Sequence, residues 1–307
     1  MLIDYYYKVA EFIFEVSLPE EQDIHSLLPS FVPFYQGIDV HAGKDDILFH
    51  FTACDVPVSD GCKVRILDDA ENDMGHVRLS EYGDNYIVEL NYMSDTPIHT
   101  LCADRTFRLA RVNMLWYDPY VGYALSSMLR IVYSLSVPFR GGISLHAAAV
   151  VLNGNAYLFM GKSGTGKSTH AALWLRHFPE CTLLNDDNPT VRAEGGKVTV
   201  YGTPWSGKTP CYKNRQCLLA GIVRLRQSGE NSFVSCTDVD AFITLLPGCS
   251  AIRNNKEMCD CMYDTLTEII TSVRIGKLEC RPDEAAVRLC AASLAADEKG
   301  GTDTGKQ

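Results

Sequence analysis

A glycine-rich loop between an apolar run and a helical pattern is the feature that most restricts the fold of this 307-residue chain. Residues 161–168 read GKSGTGKS and fit the pattern G-x-x-x-x-G-K-[ST]. An apolar run at 156–160 precedes the loop, and a helical pattern follows over 167–177. Glycines let several backbone N–H groups point at one anion, and the following helix adds its positive end. The loop therefore predicts a phosphate site on a strand–loop–helix unit.

The run before the loop has a close neighbour in the sequence. Apolar residues at 144–152 and 156–160 are separated by Asn153-Gly154-Asn155. Such a short polar turn favours an antiparallel hairpin, because parallel strands need a crossover of about a dozen residues or more. We therefore predict an α/β fold with a mixed sheet, and not a doubly wound parallel sheet.

A change of hydrophobic period divides the chain into two regions. In the first region apolar and polar residues alternate as they do in strands. Its start, MLIDYYYKVAEFIFEV, predicts a strand pair and not a signal peptide. Apolar residues then recur at helical spacing, with Asp118 as the expected N-cap and Pro119 as the first helical residue. The predicted organisation is a β-rich region at 1–117, a linking helix at 118–140, a P-loop domain at 141–296 and a disordered tail at 297–307.

Local patterns also predict individual elements on both sides of that helix. In the first region they predict strands at 12–16 and 47–54 and a hairpin over 77–90 that turns at 82–85. In the second region they predict a strand at 182–187, a hairpin over 190–202, a strand at 218–227, and helices at 255–274 and 283–295. The isolated histidines His41, His50 and His76 receive no chemical role.

Composition excludes several classes of function. The formal net charge is -10 and no stretch concentrates Lys and Arg, which argues against a duplex-binding surface but not against a nucleotide pocket. Twelve cysteines without a CxxC pair disfavour a zinc site and are typical of a reducing compartment. No apolar run has membrane-spanning length. We expect a cytoplasmic protein with no nucleic-acid or membrane partner, and its self-association as a homo-oligomer stays open.

The loop itself contains the residues that are expected to bind the nucleotide. Lys167 can reach the β- and γ-phosphates, and the Ser168 hydroxyl can bind Mg²⁺. ATP and Mg²⁺ are therefore the expected cofactors. The predicted cofactor-binding residues are Gly161, Lys162, Ser163, Gly164, Thr165, Gly166, Lys167, Ser168 and Thr169.

Two adjacent acids follow the loop by about twenty residues. Asp186 and Asp187 end the short apolar run TLLNDD. Phosphoryl transfer needs a carboxylate for Mg²⁺, and transfer to a hydroxyl also benefits from a carboxylate that takes its proton. The pair is therefore predicted to be catalytic and metal-binding, together with Ser168. In isolation the same residues would be read as a solvated turn.

The segments SLHAAAVV, GKSGTGKST, LLNDD and VYGTPWSG together resemble the C-terminal catalytic domain of HPr kinase/phosphorylase over about 143–295. The resemblance implies a fold of the phosphoenolpyruvate carboxykinase type and an ATP- and Mg²⁺-dependent kinase. It also implies a histidine on the strand before the loop, which is His146 here, and paired aspartates, matched by Asp186 and Asp187. In the family that pair serves the metal and the acceptor proton, and the sequence leaves open which aspartate is the base.

The chain departs from that family in two places. The stretch 199–205 contains no glutamate, so the family's second metal contact has no counterpart there. Residues 1–135 do not resemble the family's N-terminal domain, and the acceptor is therefore left open as a protein, peptide or small molecule. The loop GTPWSGK places Trp205 and Lys208 as acceptor-side candidates, with a packed tryptophan as the equal alternative. Lys213 and Arg215 are weaker candidates.

Two other functions remain open on the sequence. One is a nucleotide-binding sensor with little catalysis, in which ATP orders the first region against the second. The other is a carboxykinase-like reaction on a small carboxylic acid, which needs a basic cluster around the substrate. Phosphate that appears on an acceptor would separate a kinase from a sensor.

Overall fold

The structure, a computed structural model, describes residues 1–38, 40, 43, 45–55 and 64–295. The predictions for His41 and for a tail at 297–307 lie outside the described residues. The strands are β1 (Leu2–Val9), β2 (Phe12–Pro19), β3 (Tyr35–Gly37), β4 (Ile47–Ala53), β5 (Val64–Asn72), β6 (Gly75–Tyr82), β7 (Asn85–Asn91), β8 (His99–Asp104), β9 (Leu109–Asn113), β10 (Gly142–Ser144), β11 (Ala147–Leu152), β12 (Asn155–Met160), β13 (Thr182–Asn185), β14 (Thr190–Glu194), β15 (Lys197–Tyr201), β16 (Gln216–Gln227), β17 (Ser232–Cys236) and β18 (Arg274–Cys280).

Helices are fewer than strands among the described residues. The α-helices are α1 (Ile24–Leu27), α2 (Val121–Ser136), α3 (Lys167–His177), α4 (Asp238–Leu245), α5 (Lys256–Ser272) and α6 (Glu284–Ala295). Short 3₁₀ turns occupy Pro29–Phe34, Val137–Arg140 and Leu246–Gly248. The prediction of a mixed α/β fold with a β-rich first region is confirmed.

The first region forms one sheet in the order β3-β1-β2-β4-β9-β8-β7-β6-β5. Its hairpins arise from local turns, as where Gly83 has a φ of 57° between β6 and β7. That hairpin is the one predicted over 77–90. In contrast, β4 pairs in parallel with both β2 and β9, which brings together strands that are distant in the sequence.

Helix α2 packs its apolar stripe against the first sheet, with Leu125, Met128 and Leu129 fully buried. The predicted N-cap is wrong, because the helix begins at Val121 and no side chain caps it. Asp118 is instead buried in the preceding turn, where its Oδ2 lies 2.9 Å from His99 Nε2. The carboxylate that would have capped the helix is thus used in a buried pair.

The second sheet has the main order β10-β14-β15-β16-β12-β11-β13, with β18 added to β16 and β17 added to β18. The predicted hairpin is confirmed: β11 and β12 are antiparallel, and Asn153 and Gly154 turn between them with φ of 53° and 81°. Positive φ at both turn residues is the type I′ geometry that matches strand twist. On its other side β12 pairs in parallel with β16, so the sheet is mixed.

The two regions share apolar side chains. The core beneath the first sheet includes Trp205, Ile252 and Met258, which all come from the second region. Trp205 packs edge-on against Phe31 and donates its Nε1–H to the Ser126 carbonyl of α2 at 3.0 Å. Helix α2 therefore lies between the two sheets and contacts residues from both.

Candidate active site

The phosphate loop lies where its sequence predicts, between β12 and α3. Gly164 and Gly166 have φ of 76° and 103°, which a side chain would strain, and α3 begins at Lys167 directly after them. Thr165 closes the loop from within, since its N–H and hydroxyl both bind the Lys162 carbonyl. Gln227 at the end of β16 supports the loop from outside by donating to the Gly164 carbonyl at 3.2 Å. The helix start and the turned backbone together make an anion-binding concavity.

Lys167 is buried at the base of this loop. Its Nζ lies 2.8 Å from His146 Nε2 and donates to the Gly161 carbonyl at 3.2 Å. Burial lowers the pKa of Lys167, although the charges of Asp187 and Asp186 act in the opposite direction. The ammonium is thus held by an imidazole nitrogen and by carbonyls of the loop itself, beside two acids.

His146 and Asp187 form a pair that extends this contact chain. His146 Nδ1 lies 3.0 Å from Asp187 Oδ1, and Arg130 Nη2 lies 2.8 Å from Asp187 Oδ2. The contact with Arg130 is an ion pair that lacks hydrogen-bond geometry. Burial by itself would raise the pKa of Asp187, but the His146 hydrogen bond and the Arg130 and Lys167 charges hold it below its usual value. Asp187 is therefore ionised at neutral pH.

Asp186 points into a different environment from its neighbour. Its Oδ2 accepts the Thr209 N–H at 3.1 Å, and a Cβ on Gly207 would lie 3.2 Å from the same oxygen. Its Oδ1 accepts no hydrogen bond from a described residue. The loop 206–209 thus covers one carboxylate oxygen and leaves the other available.

Asn185 fixes the geometry of both acids and was missed by the sequence analysis. Its Nδ2 donates to the Trp205 carbonyl at 2.9 Å, and its Oδ1 accepts the N–H groups of Asp187 and Asn188. The side chain is fully buried. One amide therefore ties the turn that carries the aspartates to the loop after β15. The signal was its position directly before two acids at a strand end.

Arg130 was also missed, although the sequence contains a signal for it. It is the single charged residue of α2, whose other residues are apolar, small or tyrosine. Besides Asp187, it contacts Asp73 of the first region through Nη1 at 2.7 Å. A lone charge on an otherwise apolar helix predicts a buried partner, and the partner here is one of the paired aspartates.

The acceptor-side candidates lie in different places. Trp205 is buried in the core described above, as in the packing alternative, and does not face solvent. Lys208 is exposed in the loop beside Asp186. Lys213 donates to the Leu183 carbonyl at 2.6 Å, and Arg215 is exposed. The structure therefore brings Lys167, His146, Asp186 and Asp187 together and separates Trp205 from them.

The arrangement combines an anion cradle, an ionised carboxylate within a cationic network, and a second carboxylate with a free oxygen. Such a set can bind phosphates and a hard divalent cation, and it can hold a proton on His146. Within the part of the chain that the structure describes, no helix has the length and apolar character that a membrane crossing requires.

Comparison with known proteins shows only a distant structural likeness. No family model matches the chain, and no curated protein sequence matches it. One similar solved structure is the Hpr(Ser) kinase/phosphatase from Coxiella burnetii, with 13% sequence identity, a TM-score of 0.30, and coverage of 49% of this chain and 89% of that chain. The likeness is too weak to assign this chain to that family.

Proposed function

We propose that this chain is an ATP- and Mg²⁺-dependent kinase, similar to HPr kinases, that transfers the γ-phosphoryl group to a hydroxyl on a protein, peptide or small molecule. The observation that carries the proposal is the contact chain Arg130–Asp187–His146–Lys167, which ends in the phosphate loop. An anion site alone needs no histidine–aspartate pair beside its lysine. Transfer to a hydroxyl needs both phosphate charge stabilisation and a group for the hydroxyl proton.

Lys167 is the group that would change partners when a nucleotide binds. The β- and γ-phosphates are stronger acceptors for an ammonium than a neutral imidazole or a backbone carbonyl. On this proposal Lys167 turns from His146 to the phosphates. The loop N–H groups and the start of α3 hold the remaining phosphate oxygens.

Asp186 and Ser168 are the residues that suit Mg²⁺. The ion prefers hard oxygen ligands and usually takes one or two carboxylates together with phosphate oxygens and water. Asp186 offers a free Oδ1, whereas both oxygens of Asp187 already face His146 and Arg130. When bound, Mg²⁺ would neutralise charge that develops between the β- and γ-phosphates.

His146 and Asp187 would then handle the proton. Asp187 accepts from His146 Nδ1, which assigns the other nitrogen, Nε2, as the free acceptor once Lys167 leaves it. The lowered pKa of Asp187 makes it a weak base but a good orienting anion. In this assignment His146 receives the hydroxyl proton, and direct proton transfer to Asp187 is the alternative.

One observation favours a nucleotide sensor as the second candidate. Arg130 contacts Asp73 in the first region and Asp187 in the site, so a nucleotide could change how the regions contact each other. The carboxykinase-like alternative has less support, because Lys213 is bonded to a carbonyl and does not join a basic cluster.

The test measures nucleotide affinity and label transfer from γ-labelled ATP into a lysate of the source organism. Lys167→Ala should lower turnover by about 10²–10³-fold, the usual loss for one group that stabilises developing charge. Lys197→Ala is the control, because this lysine is exposed at the turn between β14 and β15 and is not among the predicted nucleotide-binding residues. Unchanged ATP affinity and turnover in Lys167→Ala would refute the proposal. ATP binding without label on any acceptor would favour the sensor.

A further inference from the structure

A cavity of about 450 Å³ lies between the first sheet, α2 and the segment 250–254. Its volume is within the range of small-molecule sites. The apolar wall comes from β5, β6, β7, α2 and the segment 250–254. Val88, Leu135 and Ile252 of this wall are buried, whereas four other members are half-buried: Leu67, Val77, Leu79 and Ile131. These side chains could bury more apolar surface against an occupant.

The charged residues of the cavity lining are Arg130, Arg253 and the exposed Asp68, and Arg130 is already paired with Asp73 and Asp187. Arg253 donates to the Leu246 and Cys249 carbonyls, and no described carboxylate pairs with it. An occupant with an apolar body and one anionic group would match this lining in both polarity and charge.

The cavity walls are connected to the nucleotide site. Arg130 reaches both the cavity and Asp187. Ser134 of the lining accepts from Asn188 at 3.5 Å, directly after the two aspartates. The Ser250 N–H donates to the Ser144 carbonyl at 3.2 Å, two residues before His146. A bound molecule would thus lie beside Arg130, which contacts Asp187 of the His146–Asp187 pair.

We infer that this cavity binds the acceptor, a small amphipathic molecule with an apolar body, one anionic group and a hydroxyl. The inference rests on the proposed kinase function. The acceptor hydroxyl oxygen forms a bond to the γ-phosphorus, and the bond from that phosphorus to the β-phosphate oxygen breaks. ADP leaves with the electron pair, and the hydroxyl proton passes to His146 Nε2. The products are ADP and a phosphomonoester.

N-octanoyl-L-serine carries all three features and serves as the probe. Its affinity is measured by calorimetry without nucleotide, so the result does not depend on kinase activity. Leu67→Trp fills the cavity and should weaken binding at least about tenfold, whereas Ile66→Trp is the matched control because Ile66 is 55% exposed and outside the lining. Equal affinity of Leu67→Trp and wild type would overturn the inference.

The role of charge is tested on the protein surface and on the probe. Arg253→Gln removes the charge of an exposed side chain together with its bonds to the Leu246 and Cys249 carbonyls, so the unfolding free energy of this variant is measured alongside. This variant, or the uncharged N-octanoyl-L-serinamide with wild type, should bind about tenfold more weakly, since a charge-assisted contact is lost. Full affinity in both cases would exclude an anion subsite and overturn the stated ligand class.

Label transfer decides whether the occupant is the acceptor. γ-Labelled ATP should label N-octanoyl-L-serine but not N-octanoyl-L-alanine, and Leu67→Trp should lower transfer with nucleotide affinity unchanged. Probe binding without labelling, in protein that binds ATP, would overturn the acceptor role and identify an effector cavity. If wild type binds no ATP, the proposed function and the acceptor role both fail, while probe binding still tests the cavity.

Discussion

The two regions of the molecule each contain a histidine–aspartate pair, and the pairs differ in what the second ring nitrogen meets. In the first region, His99 and Asp118 are both 0% exposed, and His99 Nδ1 accepts the Leu115 N–H. The proton must therefore be on Nε2, which donates to Asp118. In the second region, His146 is 39% exposed, its Nδ1 faces Asp187 and its Nε2 faces Lys167.

On the proposed function, the difference distinguishes a pair that stabilises the fold from a pair that handles a proton. Every polar atom of the His99 ring is satisfied by a fixed partner, so that pair can only stabilise the fold. The His146 ring contacts the ammonium of Lys167, which on the proposed function leaves it for the phosphates of a nucleotide. A histidine–aspartate pair is therefore informative only together with its third contact, and the following predictions test that rule.

The largest expected effect is on the aspartates. Asp187→Asn should lower phosphoryl transfer by about 10²–10⁴-fold with nucleotide affinity nearly unchanged, because the proton-handling pair is lost. Asp186→Asn should instead weaken Mg²⁺-dependent ATP binding, because it removes the free carboxylate oxygen. Transfer and affinity are measured in both variants, and the double variant should add little to the worse single change.

The control for these substitutions is Asp118→Asn in the first region. It should reduce the free energy of unfolding by about 1–3 kcal/mol, since one of the two buried oxygens that accept from His99 and Tyr120 becomes an amide NH₂, without changing transfer per folded molecule. Wild-type transfer by Asp187→Asn would contradict the assignment of the site.

The second prediction compares the two histidines. His146→Gln should lower transfer by about 10²-fold if its Nε2 takes the proton, with little loss of stability. His99→Gln should do the reverse, because it disrupts a fully buried pair. Unfolding and transfer assays on both variants decide the matter, and near-normal transfer by His146→Gln would show that Asp187 itself is the base.

His170 is buried like His99 but has no carboxylate partner, and it tests what burial alone does to a histidine. His170 accepts the Trp174 Nε1–H at 3.1 Å, and burial lowers its pKa from 6.5 to about 4. Because the unfolded chain binds the proton first, stability should fall as pH drops through about 6.5 and level off near 4. The expected loss is about 3 kcal/mol.

His170→Gln keeps an acceptor for Trp174 and removes the titration. The difference in unfolding free energy between wild type and this variant should therefore depend on pH between about 4 and 6.5. A constant difference across that range would rule out a buried neutral histidine.

The smallest expected effect concerns Arg130. Its charge helps to hold the pKa of Asp187 below the usual value, so Arg130→Met should raise that pKa. The acid limb of the pH–transfer profile should move to higher pH, and transfer at neutral pH should fall about tenfold. Arg78→Met, on the first sheet beside Asp69, is the matched control. An unmoved acid limb would show that Arg130 acts only on structure.

Features set by short sequence segments were predictable. The phosphate loop, the turn at Asn153-Gly154 and the position of the two aspartates depend on glycine, asparagine and strand ends within a few residues. Their places in the structure agree with the sequence patterns. The chemical roles of the aspartates and of His146 stay predictions.

Features set by distant contacts were not predictable. The local sequence predicts Asp118 as a helix cap, because nothing near it in the chain indicates that His99 is its partner. Trp205 reads equally as a loop residue or a packed one, because its neighbours Phe31 and Tyr133 come from the first 135 residues. The parallel pairing of β4 with β2 and β9 involves no local turn, so no short sequence pattern predicts it.

The shared core has an evolutionary consequence. Trp205, Ile252 and Met258 complete the packing beneath the first sheet, so that sheet is not an independent cassette. A recombination event that replaced residues 1–117 would remove part of their packing, such as the contact of Phe31 with Trp205. We expect descendants of this chain to change their ligand through point substitutions in the cavity walls. Exchange of the whole first region should be rare.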